Sequence, residues 1–262
     1  MNSKYMISRC ICTFVILILA YFMMLPMFEI LKASFKMQNY LESINGNNYS
    51  LQYAYLQLMS IRPFFENFWM SFRISILCAF ISAFFCTTVA YGLVMYQFKA
   101  RNIILVLLIL MLLMPEGLKI IPFYLVLDQL GLIGLEESLW VPFTIPALCV
   151  FIIKQYISTT IRLDTIEAGR IEGASEWIIF WKLVVPLLMP ALIVVLVIQF
   201  AFMWNQFDLA FFTLENDAVQ PISVISRGSD LPPITYAISS FFPLLILLLG
   251  SKYIIRFVDS AF

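Results

Sequence analysis

Apolar residues along this chain gather into long runs, and short polar clusters separate them. A bilayer core about 30 Å thick needs roughly 20 mostly apolar residues in a helix to cross it. On that template the 262 residues predict six spans and an all-α membrane protein. The first run lies at about 10–31, CICTFVILILAYFMMLPMFEIL, behind Lys4 and Arg9. It begins like a signal peptide, but it is too long and lacks a small-x-small cleavage site, so an uncleaved anchor is expected. A polar segment follows at about 32–66, where NGNNYS reads as loop. Span two is about 68–95, QFKARN (97–102) is a short turn, and span three begins at Ile103. PEGLKIIP (115–122) interrupts span three, its two prolines bracketing Glu116 and Lys119. Span four runs from Trp140 to Ser158, span five over about 186–211 and span six over about 235–256. With no soluble domain, repeat or low-complexity segment in view, residues 1–262 are expected to form a single transmembrane domain.

Composition strengthens this picture and narrows the chemistry. The chain is 62% hydrophobic and 12% charged, with a mean hydropathy of +0.94, whereas soluble domains carry about 25% charged residues. The formal net charge is zero and no basic arm is present, which points away from nucleic acid. Histidine is absent, and with it the commonest general base and metal ligand. Cys10, Cys12, Cys78, Cys86 and Cys149 lie in apolar runs without C-x-x-C spacing, which argues against a disulfide framework or a zinc site. They read as small apolar packing residues, with acylation at the membrane surface the alternative for Cys10 and Cys12.

Lysine and arginine near span ends set the orientation. With the amino terminus inside, the inner side receives Lys4, Arg9, Lys99, Arg101, Lys154, Arg162, Arg170, Lys182, Lys252 and Arg256. The outer side receives Lys32, Lys36, Arg62, Lys119 and Arg227, and Arg73 is unassigned. Both termini are therefore expected in the cytoplasm, along with the stretch DTIEAGRIEGASEWIIFWKLVVP (164–186).

That stretch combines charge and glycine where the rest of the chain is apolar. Asp164 is a candidate helix N-cap, and Glu167 follows at a cap-like spacing. Gly169 and Gly173 stand one helical turn apart, and either can end a short helix. A second, apolar helix is expected from Ala174, carrying Trp177, Ile178, Phe180 and Trp181. Two readings remain open on physical grounds: an amphipathic connector between spans four and five, or a knob shaped for a cleft on a cytosolic partner.

EAGRIEGA (167–174) followed by FWKLVVPLLMP (180–190) resembles the EAA signature of permease subunits of ATP-binding-cassette (ABC) importers. Gly169 stands where a second alanine is usual and Glu172 where aspartate is common, while Pro186 and Pro190 fall where the family's prolines fall. NFWMSFRIS (67–75), AYGLVMYQFKARN (90–102), MPEGLKIIPFYLVLDQLGLIG (114–134) and FMWNQF (202–207) resemble further family segments in the same order. The likeness covers about residues 65–257 and is nearest to the shorter, six-span permease of the maltose and carbohydrate type.

The resemblance implies a type I ABC importer permease fold with cytoplasmic coupling helices at 164–180. Glu167, Ala168, Gly169, Ile171, Glu172, Gly173, Ala174 and Phe180 would then dock on an ATPase, with Glu167 paired to a basic residue and Gly173 allowing the bend. It further implies a second homologous permease, two ATPases carrying ATP and magnesium, an extracellular solute-binding protein, and no cofactor on this chain. The loop at about 212–234 is the family's candidate for touching the binding protein, a solvated connector being the plain alternative. Trp204, Asn205, Gln206 and Asp208, late in span five, are candidates for the substrate path, or else for the outer interface. The function implied is uptake of a sugar or oligosaccharide by a multi-pass cell-membrane subunit that is not itself an enzyme. An ABC permease for a non-sugar solute and a secondary transporter are the alternatives.

Overall fold

A computed structural model describes residues 62–206, 208–214, 221–224 and 233–261, with scattered positions between 21 and 32. Most of the first predicted span, most of the polar segment behind it, Cys10, Cys12, Phe207 and much of the 212–234 loop lie outside the described residues, and the last residues of that polar segment, 62–66, are helical. The chain divides into two compact units, residues 1–62 with 228–241, and residues 63–227 with 242–262. In the first, Lys32 pairs with Glu29 one helical turn away at 2.9 Å. The second holds the features developed below.

The all-α expectation holds: among the described residues every regular element is helical. Helix α1 (Arg62–Met95) contains a 31-residue stretch, Phe65–Met95, long and apolar enough to cross a membrane. Helices α2 (Arg101–Leu113) and α3 (Glu116–Gln129) meet at 113°, the break in span three. Pro115 makes that break alone. Its ring pushes Met114 into the extended conformation, ψ 124°, and the helix cannot continue. Pro122 was expected to flank the interruption, yet it lies inside α3, where it removes one N–H without stopping the helix. Gly131, at φ +68°, closes α3: its N–H reaches Asp128 O and the next N–H, of Leu132, reaches Leu127 O. Those two bonds form a Schellman cap, which only a left-handed residue permits.

Span four starts earlier than Trp140. Helix α4 (Glu137–Trp140) and a 3-10 turn (Val141–Phe143) lead into α5 (Ala147–Thr160), and Glu137–Thr160 together is long enough to span. After α6 (Leu163–Ile171), helix α7 (Glu176–Ile179) runs through a π-turn at Phe180–Val184 and one α-turn at Val185–Leu187. It then bends by 76° into α8 (Met189–Trp204), with Pro186 and Pro190 on either side of the bend. Span five, expected to reach 211, stops at Trp204, and α9 (Asp208–Thr213) is separate. Helix α10 (Pro233–Ala261) carries Pro243 internally. Gly250 of α10 lies so near α8 that an added Cβ would sit 2.8 Å from Val197 Cγ2, so a larger residue there would force the helices apart.

Three cores hold the second unit together. One joins the carboxyl-terminal half of α1 to α5 and to the segment from α6 to α8. Another joins the start of α1 to α3, α4 and α9. The third is largely aromatic, with Phe68, Phe72, Phe200, Trp204 and Phe242 joined by a chain of ring contacts. Helix α2 has no buried residue, and its Val106, Leu110 and Leu113 present apolar surface outward.

The break before Pro146 creates one demanding spot. Proline has no N–H and interrupts the ladder, so nearby carbonyls need other partners in a medium without water. Phe143 O receives them from two other helices: Ser82 Oγ of α1 donates at 2.9 Å and Gln199 Nε2 of α8 at 3.1 Å. Both side chains are fully buried; Cys78 Sγ lies 3.7 Å from the same carbonyl, and Cys149 Sγ lies 3.9 Å from Gln199 Oε1. An interhelical hydrogen bond in a membrane is worth about 0.6 kcal/mol on average, whereas a buried acceptor left without any partner costs about 1–3 kcal/mol. Ser82→Ala and Gln199→Leu are therefore expected to be mild singly and worse than additive together. Thermal unfolding of the detergent-solubilised variants measures this, and the double variant should lose more Tm than the two singles combined.

Candidate functional site

The loop between α5 and α8 is built from a few residues with sharply divided tasks. Helix α6 starts at Leu163 with Arg162 at the N-cap position and no side-chain cap, so Asp164, expected as the cap, sits one residue inside the first turn. There its charge still favours the helix dipole. The helix ends at Gly173, φ +82°, where the Gly173 N–H reaches Arg170 O at 3.0 Å and the Ala174 N–H reaches Gly169 O at 3.1 Å. This is again a Schellman cap, and it turns the chain back sharply. The second helix begins at Glu176 and not at Ala174, because Ser175 caps it by accepting from the Ile178 N–H.

One side of the loop is anchored. Ile166, Ile179 and Phe180 are buried in the core shared with Tyr91 of α1 and with Tyr156, Ile157 and Ile161 at the end of α5. The Phe180 ring lies edge-on to Tyr91 at 5.4 Å, so this candidate docking residue belongs to the protein's own interior. The other side is open. Glu167, Ala168, Ile171, Glu172 and Gly173 are exposed and Ala174 is half-buried. Ile171 is 87% exposed at the tip, between two carboxylates. Among the described residues, neither Glu167 nor Glu172 has an ion-pair partner. Gly169 faces inward, where an alanine Cβ would meet Ile179 at an ordinary 3.5 Å.

A polar knot spans the bend. Arg170 Nε donates to Glu176 Oε1 at 2.6 Å, while Tyr91 and Tyr96 donate to Glu176 Oε2 at 3.0 and 2.8 Å. The bond to Glu176 raises the Arg170 guanidinium further above its ordinary range. Partial burial, then the hydrogen bond to Glu176, pushes the Tyr96 hydroxyl up. None of this knot was singled out in the sequence, where Glu176 reads as one more acid in a charged loop.

The four candidate substrate-path residues do not form one surface. Trp204 is buried, its ring stacked between Phe200 at 5.6 Å and Phe242 at 5.7 Å and met edge-on by Phe68. Asn205 Nδ2 donates back to Ala201 O at 2.8 Å, and the Gln206 carbonyl accepts from Ser223. Asp208 is exposed at the start of α9. Sequence reasoning missed a different place: a mostly apolar cavity of about 230 Å³ whose border includes Glu116, Lys119, Phe123 and Gln199. Glu116 and Lys119, one turn apart on α3, pair at its border at 2.6 Å. A signal for it existed, since Gln199 is the sole polar side chain in α8.

Residues 75–261 match the family described as the binding-protein-dependent transport system inner membrane component. The chain is 32% identical over 202 residues to the osmoprotective compounds uptake permease protein GgtD of Synechocystis, across 73% of this chain and 67% of that one. It is 30% identical over 144 residues to the arabinooligosaccharides transport system permease protein AraQ of Bacillus subtilis, across 55% of this chain and 51% of that one. The chain thus matches about half the length of the second relative and two thirds of the first. A chain from the crystal structure of a bacterial ABC transporter involved in the import of the acidic polysaccharide alginate shares the fold. Its TM-score is 0.75 at 17% identity, covering 97% of this chain and 99% of that one.

The two loop glycines are expected to respond oppositely to alanine. Gly173→Ala puts a Cβ on a left-handed backbone at a cost of about 1–2 kcal/mol, whereas Gly169→Ala removes backbone freedom from a helix interior and stabilises by about 0.5–1 kcal/mol. Amide hydrogen exchange across 165–176 reads the difference. Exchange should quicken about 5–30-fold in Gly173→Ala and slow in Gly169→Ala.

Proposed function

Because the chain belongs to the family of binding-protein-dependent transport system inner membrane components, we propose that it is the permease subunit of an ATP-driven importer that takes up a sugar or oligosaccharide. The observation that carries this reading is the α6–Gly173–α7 loop, rooted by Ile166, Ile179 and Phe180 yet ending in an exposed isoleucine between two carboxylates that have no ion-pair partner among the described residues. A solvated connector has no need of a nearly bare Ile171. A knob that enters an apolar cleft with a basic rim does.

On this reading two ATPase subunits, holding ATP and magnesium, receive the loop of this chain and of a second, homologous permease. Ile171, Ala168 and Ala174 fill the cleft, and Glu167 and Glu172 meet its basic groups. Nucleotide-driven closure of the ATPases moves α6 and α7. The shared core with α1 and α5 carries the motion into the spans, which switch between outward and inward access as a two-state rotation. Solute is delivered by an extracellular binding protein. Both termini and the loop face the cytoplasm, in keeping with the Lys and Arg distribution. The name of the arabinooligosaccharides relative supports the carbohydrate reading. The name of the osmoprotective-compounds relative favours, as the second reading, a small solute outside that class.

Glu167→Lys is the direct test, made in the chain co-expressed with its neighbouring subunits. The variant is expected to insert normally and to retain less than about a tenth of the ATPase subunit on affinity purification, the loss typical of reversing one interfacial charge. Wild-type ATPase retention in Glu167→Lys would overturn the docking reading.

A further inference from the structure

Resting on that reading, we propose that Glu176 is a positioning residue that locks the bend of the docking loop to the end of α1, so that α1 and α6 move as one body. The two oxygens of this carboxylate face different elements. Oε1 takes Arg170 from the last turn of α6, across the Gly173 bend. Oε2 takes both tyrosine hydroxyls, from the last turn of α1 and from the residue just beyond it. One side chain therefore closes the bend and binds the closed bend to a span more than 80 residues earlier in sequence, the separation of Tyr96 and Glu176 being 80 and that of Tyr91 and Glu176 being 85.

The neighbouring packing makes the knot directional. Tyr91 is buried, with its ring edge-on to both Phe180 and Tyr96, so its hydroxyl has little freedom to follow a shifted carboxylate. Apolar contacts between Ile179, Phe180 and α1 favour closeness but tolerate sliding, since the hydrophobic effect is non-directional. Charge-assisted hydrogen bonds fix the register. A glutamine at this place has one acceptor oxygen and no charge, so it can accept from Arg170 or from the tyrosines but not from both, and its NH2 offers the other side only a neutral contact. An aspartate is one methylene shorter and reaches one side only.

The proposal is tested by spin-label distances in the detergent-purified complex, between Lys99→Cys after α1 and Thr165→Cys in α6, with Cys10 and Cys12 replaced by serine. Without nucleotide the wild-type background should give one narrow distribution. Tyr91→Phe with Tyr96→Phe removes only two hydroxyls, so folding is retained, and it should raise the undocked fraction about tenfold, as should Glu176→Gln. Adding the two tyrosine changes to Glu176→Ala should produce no further effect, because the shared acceptor is already gone. Trapping with ATP and vanadate should leave the wild-type distance unchanged and should separate the labels in the tyrosine variant. An unchanged distribution in both the tyrosine variant and Glu176→Gln would overturn the proposal. So would a wild-type distance that changes on trapping. If no ATPase subunit co-purifies with the wild-type chain, the importer reading fails, while the nucleotide-free distances still decide the knot.

Discussion

A backbone carbonyl within apolar surroundings cannot be left to solvent, and the carbonyl of Phe143 is where this chain meets that constraint. The prolines at 142 and 146 break the approach to α5, and the freed acceptor is served by Ser82 from α1 and Gln199 from α8. Three elements distant in sequence are thereby held at a common depth. Apolar contact alone would leave their sliding poorly determined in lipid, because lipid tails compete for the same surface. The polar spot provides register, and the three surrounding cores provide the bulk of the contact.

The same division of labour recurs at the loop between α5 and α8. Ile166, Ile179 and Phe180 hold it against α1 and α5, and the Glu176 carboxylate sets where along α1 it rests. At the exposed tip the Ile171 side chain, by contrast, packs little against the chain's own core. That separation lets one short segment be rigid on its rooted side and chemically available on the other.

Much of this was legible in the sequence, for reasons that can be named. Long apolar runs announce helices because a membrane permits little else, and Pro115 announces a break through sterics that act within a residue or two. Gly169 and Gly173 announced a helix end for a similarly local reason, and the structure puts it at Gly173. What stayed hidden depended on contacts made over distance. Pro122 looked equivalent to Pro115 but sits mid-helix in α3. Asp164 looked like the cap, yet α6 begins a residue before it, at Leu163. Phe180 looked available for docking until Tyr91 was seen to cover it, and Trp204 looked available for a sugar ring until three phenylalanines were found around it. Glu176 could not be told from Glu167 or Glu172 by spacing alone, since its two tyrosine partners lie at the end of another span.

The wide turn at Phe180–Val184 has a consequence for how such a loop can change over generations. A π-turn holds one residue more than an α-turn, and each residue of α-helix adds about 100° of rotation and 1.5 Å of rise. The direction in which Ile171 points, relative to α8, is therefore set partly by residue count and not only by side-chain identity. A single-codon deletion within 180–184 would tighten the turn and swing the tip by roughly a quarter of a revolution. Lineages that lost or gained one residue there would face a different partner surface while every residue of the tip stayed the same.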